Sequence, residues 1–156
     1  MRLKLLFFVL LFLLVGCSVE EETIIDSEDK VTESVLKSPP KLFVTSGENS
    51  IRARHGVYSW SYALKDGTHT GIEASADAPP GIVQKVPLNV DRNDELSLDF
   101  EIEPYRYLIR TWDEDNTITG EFKSIDLTEH EGTVIFEVLA YFEQGTVSYA
   151  FLVNVE

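Results

Sequence analysis

From residue 41 onward, apolar and polar residues alternate with a period of two, the spacing of half-buried strands. The clearest stretch is Glu95 to Ile102, where Leu96, Leu98, Phe100 and Ile102 point one way and Glu95, Ser97, Asp99 and Glu101 the other. Such a segment is a strand with one wet face. Val57 to Tyr62 repeats the pattern, with Tyr58, Trp60 and Tyr62 on the predicted core side. Lys41 to Thr45 reads as a short apolar strand, and Tyr105 to Trp112 as another after Pro104. Asp113-Glu114-Asp115-Asn116 supplies a turn before Thr117 to Phe122.

The C-terminal third reads as a hairpin. Thr133 to Phe142 and Thr146 to Val155 flank Glu143-Gln144-Gly145, with Val134, Phe136, Val138, Ala140 and Phe142 in one apolar row and Val147, Tyr149, Phe151, Val153 and Val155 in the other. Seven or eight short strands and no amphipathic helix predict an all-β fold over residues 39–156, an immunoglobulin-like antiparallel β-sandwich. A small barrel is the alternative, because alternation does not fix strand order.

The first 38 residues break this pattern. Arg2 and Lys4 precede an unbroken apolar run from Leu5 to Val15, and Leu14-Val15-Gly16-Cys17 has the form of a bacterial lipoprotein signal. The run is shorter than the about 20 residues a spanning helix needs, and Leu13 stands where an ordinary secretory signal would carry a small residue. Residues 1–16 are therefore expected to be removed, leaving Cys17 as a lipidated N-terminus on the extracytoplasmic face of the cell membrane. Residues 17–38 are rich in Glu and Asp, and their one apolar cluster, Thr23-Ile24-Ile25, offers too little burial to offset ordering entropy. They read as a disordered acidic tether, closed by Pro39-Pro40.

Charge narrows the partners. The net charge of −14 becomes −16 when Arg2 and Lys4 leave with the signal. Nucleic acid is not expected as a partner on that balance, and peripheral electrostatic adhesion cannot be what holds the protein to an anionic membrane. Two acyl chains on Cys17 would suffice to hold the protein, at about 0.8 kcal/mol per buried methylene. Cys17 is the only cysteine, so no internal disulfide supports the domain.

Gly56-Val57-Tyr58-Ser59-Trp60, Ser75-Ala76-Asp77-Ala78-Pro79-Pro80, the Leu96 to Phe100 alternation and Gly145-Thr146-Val147-Ser148-Tyr149-Ala150-Phe151 together resemble small lipoproteins of Bacillus-type Gram-positive bacteria. Their pattern runs Gly-Thr-Tyr-Ser-Trp, then Ala-Asp and a proline, then Gly-x-x-x-Tyr-x-Phe; Val57 stands here in place of the usual Thr. The resemblance implies a compact β-sandwich at the cell surface, and it carries no catalytic residues with it.

Candidate chemistry is sparse. His55, His69 and His130 lack the short spacings of zinc motifs. Asp113, Asp115 and Asn116, with Asp91, Asn93 and Asp94, offer oxygen ligands of the kind calcium takes, but an EF-hand counted from Asp113 would need Gly and Glu where Ile118 and Ser124 stand. A solvated turn is the simpler reading. Ser59 and Ser61 lie in an alternating strand without a nucleophile elbow, and Gly67, Gly71 and Gly81 open no phosphate-binding helix. No catalytic residue and no cofactor is assigned. Arg106, Arg110 and Trp112 share one strand parity and form a candidate basic and aromatic binding patch, unless neighbouring carboxylates pair with the arginines. The expected function is a non-enzymatic binding or adaptor module that meets another envelope protein or a small ligand. A calcium-binding surface protein and an envelope hydrolase are the alternatives.

Overall fold

The computed structural model describes residues 36–156. The signal, Cys17 and the tether as far as residue 35 lie outside the described residues. The chain forms β1 (Leu42–Ser46), β2 (Asn49–Arg52), β3 (Arg54–Ala63), β4 (His69–Ala74), a one-turn helix α1 (Pro79–Ile82), β5 (Leu88–Val90), β6 (Ser97–Phe100), β7 (Arg106–Trp112), β8 (Ile118–Phe122), β9 (Gly132–Phe142) and β10 (Gly145–Val155).

Two sheets result, neither closed into a barrel. The smaller has the order β2-β1-β6, and the larger runs β4-β3-β10-β9-β7-β8 with β5 added beside β10. Every ladder is antiparallel except β5 on β10. The core lies between the sheets. Leu42 and Val44 of β1 and Leu98 and Phe100 of β6 pack against Trp60, Val138, Ala140, Phe142, Val147 and Tyr149 of the large sheet. The Phe100 ring bridges them directly, 6.0 Å from Tyr149 and 6.3 Å from Phe142 in edge-on contacts.

The alternation places most of these residues. Both rows of the C-terminal hairpin face the core, and Phe136, Val138, Ala140, Val147, Tyr149, Phe151 and Val153 are each 0% exposed. Gly145 pairs with Phe142, so the turn is the two residues Glu143 and Gln144. The strand predicted from Glu95 to Ile102 is shorter than its pattern. β6 ends at Phe100 because the next rung is only half made: the Glu101 N–H donates to the Lys41 carbonyl at 3.0 Å, but the Lys41 N–H is taken by the Glu101 side chain at 2.9 Å, and Ile102 is left 42% exposed.

The ordered domain reaches back into the segment assigned to the tether. The Leu36 carbonyl accepts from Trp60 Nε1 at 2.9 Å and Gln144 Nε2 at 3.2 Å, and the Leu36 side chain packs on the core. Pro39 and Pro40 are buried, and the Pro40 carbonyl accepts from Tyr149 Oη at 2.8 Å. A prolyl carbonyl without a strand partner is thus satisfied by side chains.

Candidate functional site

One face of the large sheet is turned away from the core and carries the predicted patch. In β7 the residues Arg106, Leu108, Arg110 and Trp112 lie opposite Tyr141, Leu139, Glu137 and Ile135 of β9. Ile109 and Thr111, of the other parity, are buried. The strand parity read from the sequence therefore holds, but the three patch residues have separate roles.

Arg110 and Trp112 converge on one carboxylate. Glu137, whose side chain is only 9% exposed, accepts from Trp112 Nε1 at 3.0 Å on Oε2 and from Ser148 Oγ at 2.5 Å on Oε1. Arg110 Nη1 stands 3.8 Å from Oε2, and its Nε bonds Glu121 at 3.3 Å across the β7–β8 ladder. Both oxygens of this sheltered acid are engaged, as burial demands. The Arg110 charge is correspondingly committed within the fold. The neighbouring half of the face is roofed by α1. A Cβ at Gly56 would come 2.9 Å from Ser148 Oγ and 3.2 Å from Ile82 Cδ1, so only glycine lets α1 sit this close.

Arg106 is the member of the trio left at the surface. Its guanidinium carbon lies 4.1 Å above the centre of the Tyr141 ring, and Tyr105, 69% exposed, is 6.5 Å from that ring. Tyr105, Arg106 and Tyr141 thus form an exposed cation–aromatic cluster where β7 begins. Sequence parity missed Tyr105 and Tyr141 as members, because it ranks residues within a strand and is blind to register between strands. Tyr105 donates its N–H to the Tyr141 carbonyl at 3.1 Å, which draws the two rings together.

The acidic turn is built from its own carboxylate. Asp113 Oδ1 accepts from the N–H groups of Asp115 at 3.0 Å and Thr117 at 2.8 Å, while Asn116 takes the left-handed conformation at φ 62°. Asp66 and Asp126 do the same for Thr68 and Thr128, whose hydroxyl hydrogen bonds hold both carboxyls below the usual range. Among the described residues no group of three His, Cys, Asp or Glu side chains is arranged to hold a metal ion. The three histidines stand apart. His55 packs on Tyr149 at 5.3 Å, His130 lies edge-on to Phe136 at 5.4 Å, and His69 is exposed at the start of β4.

The surface of the described residues includes two concavities of note. A groove of about 850 Å³ runs past Pro80, Trp112, Asp113, Glu114, His130 and Thr133. A second, of about 570 Å³, is lined by Ile51, Arg52, Ala53, Arg54, His55 and Gln84. No described helix is long and apolar enough to cross a membrane. No family model, curated protein or solved structure matches the chain.

Proposed function

We propose that the protein is a membrane-anchored extracytoplasmic lipoprotein, held by acyl chains on Cys17, whose β-sandwich acts as a non-enzymatic binding or adaptor module. Its partner in this reading is another envelope protein that presents carboxylates to Arg106 and apolar surface to Tyr105 and Tyr141. The observation that carries the reading is the exposed Arg106–Tyr141 stack beside Tyr105. Arginine and tyrosine are the residue types that dominate protein interfaces, and a guanidinium already held over a ring loses little freedom on binding. The signal pattern at Leu14 to Cys17 supports the address.

Affinity purification of the detergent-solubilised full chain, compared with Arg106→Glu and Tyr105→Ala, tests the proposal. Both side chains are exposed, so the domain should fold unchanged. Loss of a wild-type partner in both variants supports the interface, and retention of every partner removes it. Intact-mass analysis of the cell-derived protein tests the address independently: the expected N-terminus is Cys17 with its lipid.

A further inference from the structure

The chain passes from the small sheet to the large one through a single residue. Ala53, 2% exposed, donates its N–H to the Leu42 carbonyl at 3.0 Å and separates Arg52, the end of β2, from Arg54, the start of β3. Two residues apart on nearly extended backbone, the arginines start from one side of the chain, their Cα atoms roughly 7 Å from each other. Both are exposed, and both line the cavity of about 570 Å³ with His55 and Gln84. In a chain with 13 Lys and Arg against 27 Asp and Glu, two arginines at one opening are an uncommon concentration of positive charge. Neither makes an ion pair among the described residues, in contrast to Arg92 and Arg110. The acid that senses Arg52, Glu101, has its oxygens on Lys41, at 2.9 Å from the backbone N and 3.6 Å from Nζ.

At the same place the β10 ladder changes partner. Ala150 pairs with Arg54 of β3 and Val153 with Leu88 of β5, and Leu152 falls in the gap. Gln84 fills it, donating Nε2 to the Leu152 carbonyl at 3.1 Å. Because that partner is an acceptor, the amide must present its nitrogen there, and Oε1 is left over. It is buried and is the one such side-chain atom without a hydrogen-bond partner among the described residues. His55 behaves in a parallel way. Nε2 meets the Pro40 carbonyl at 3.0 Å and so carries the proton in the neutral ring, which leaves Nδ1 an acceptor.

We propose that this cavity is a binding site for a phosphate ester on a hydroxylated carbon skeleton. The guanidiniums of Arg52 and Arg54 take the phosphate oxygens, which outnumber those of a carboxylate and can meet both forks. Gln84 lines the cavity with Oε1 enclosed, and in the bound state its side chain turns that oxygen toward the ligand to accept from a skeleton hydroxyl. The volume suits a small molecule or a single head group. A soluble polyol phosphate and the head group of a phosphatidylglycerol-type lipid share this chemistry. The site is separate from the Tyr105–Arg106–Tyr141 cluster and does not depend on the binding-module reading.

Calorimetry on the detergent-solubilised full chain tests it, with glycerol 3-phosphate, inorganic phosphate and glycerol as probes. Glycerol 3-phosphate should bind most tightly, and Arg52→Gln with Arg54→Gln should weaken it by about tenfold per guanidinium. Gln84→Met should narrow the preference for glycerol 3-phosphate over inorganic phosphate, with circular dichroism establishing that each variant is folded. Binding to phosphatidylglycerol vesicles but not phosphatidylcholine vesicles, competed by glycerol 3-phosphate, assigns the lipid source; binding of the free ester without vesicle binding assigns the soluble one. The proposal is overturned by absent heat at millimolar glycerol 3-phosphate, by an unchanged affinity in the folded double-arginine variant, or by a preference for inorganic phosphate.

Discussion

Removing the Glu137 carboxylate should cost more than any other single change on the outward face of the large sheet. Glu137→Ala leaves the Ser148 hydroxyl, buried at 6% exposure, and the Trp112 indole N–H without their acceptor. A fully buried ion pair broken on one side costs about 3–5 kcal/mol, but Arg110 is 26% exposed and keeps Glu121, so its share is at most about 1 kcal/mol. Two hydrogen bonds to a charged acceptor, discounted for partial water access, bring the total to about 3 kcal/mol. Glu137→Gln preserves the shape and one acceptor, and should cost about half as much. Urea denaturation of the full chain measures both, and at about 3 °C per kcal/mol the melting point should fall by about 9 °C and 4 °C. A cycle with Ser148→Ala should show coupling of more than about 0.5 kcal/mol. The reasoning is refuted if Glu137→Ala costs less than about 1 kcal/mol, or if the Gln variant is as damaging as the Ala variant.

Other outcomes follow from single contacts. At Gly145, where φ is +154°, a Cβ would lie 1.9 Å from the Ser59 carbonyl oxygen, so Gly145→Ala should cost upward of about 4 kcal/mol; a soluble, normally melting variant would contradict the β3–β10 register. Burial, with the Glu101 charge adding, pushes the Tyr149 phenol above its ordinary value of 10.0. The fold favours the neutral form, so this contribution is whole below about pH 10 and is lost as pH rises through the higher folded value. Tyr149→Phe should lose about 1 kcal/mol at neutral pH and abolish that alkaline loss, read as denaturation midpoints from about pH 7 to 11; a retained alkaline limb would assign it elsewhere. Trp60→Phe removes the donor to Leu36 and should speed hydrogen exchange at Leu36 to Ser38 at a cost of about 1–2 kcal/mol, whereas unchanged exchange would show the segment is held without Trp60.

The all-β fold was legible because most long strands have one face on a core, and a period of two records that directly. Trp60 and the rows through Phe136 and Tyr149 are buried as the alternation requires. β2, β4 and β5 were not legible as strands: Asn49–Arg52 and His69–Ala74 are mostly exposed, and Leu88–Val90 is three residues long, so none leaves a usable pattern. The start of the domain was set too late because Leu36 is held largely through its backbone carbonyl, which composition does not reveal. The same limit applied to the site. Strand parity placed Arg106, Arg110 and Trp112 on one face, but the acid that engages Arg110 and Trp112 lies 25 or more residues away, at Glu137. Arg52-Ala53-Arg54-His55 did not stand out in the sequence, because its meaning depends on Gln84 and the interrupted β10 ladder, which only topology brings beside it.

The most direct measurement places a photo-crosslinking residue at Tyr105 of the full-length chain in its native cells, with the same residue at Ser61, exposed in β3, as the control. The account predicts an adduct from position 105 that is absent from position 61, disappears with Arg106→Glu and is diminished when Cys17→Ser releases the anchor. Equal adducts from both positions, or an adduct indifferent to Arg106→Glu, would contradict it.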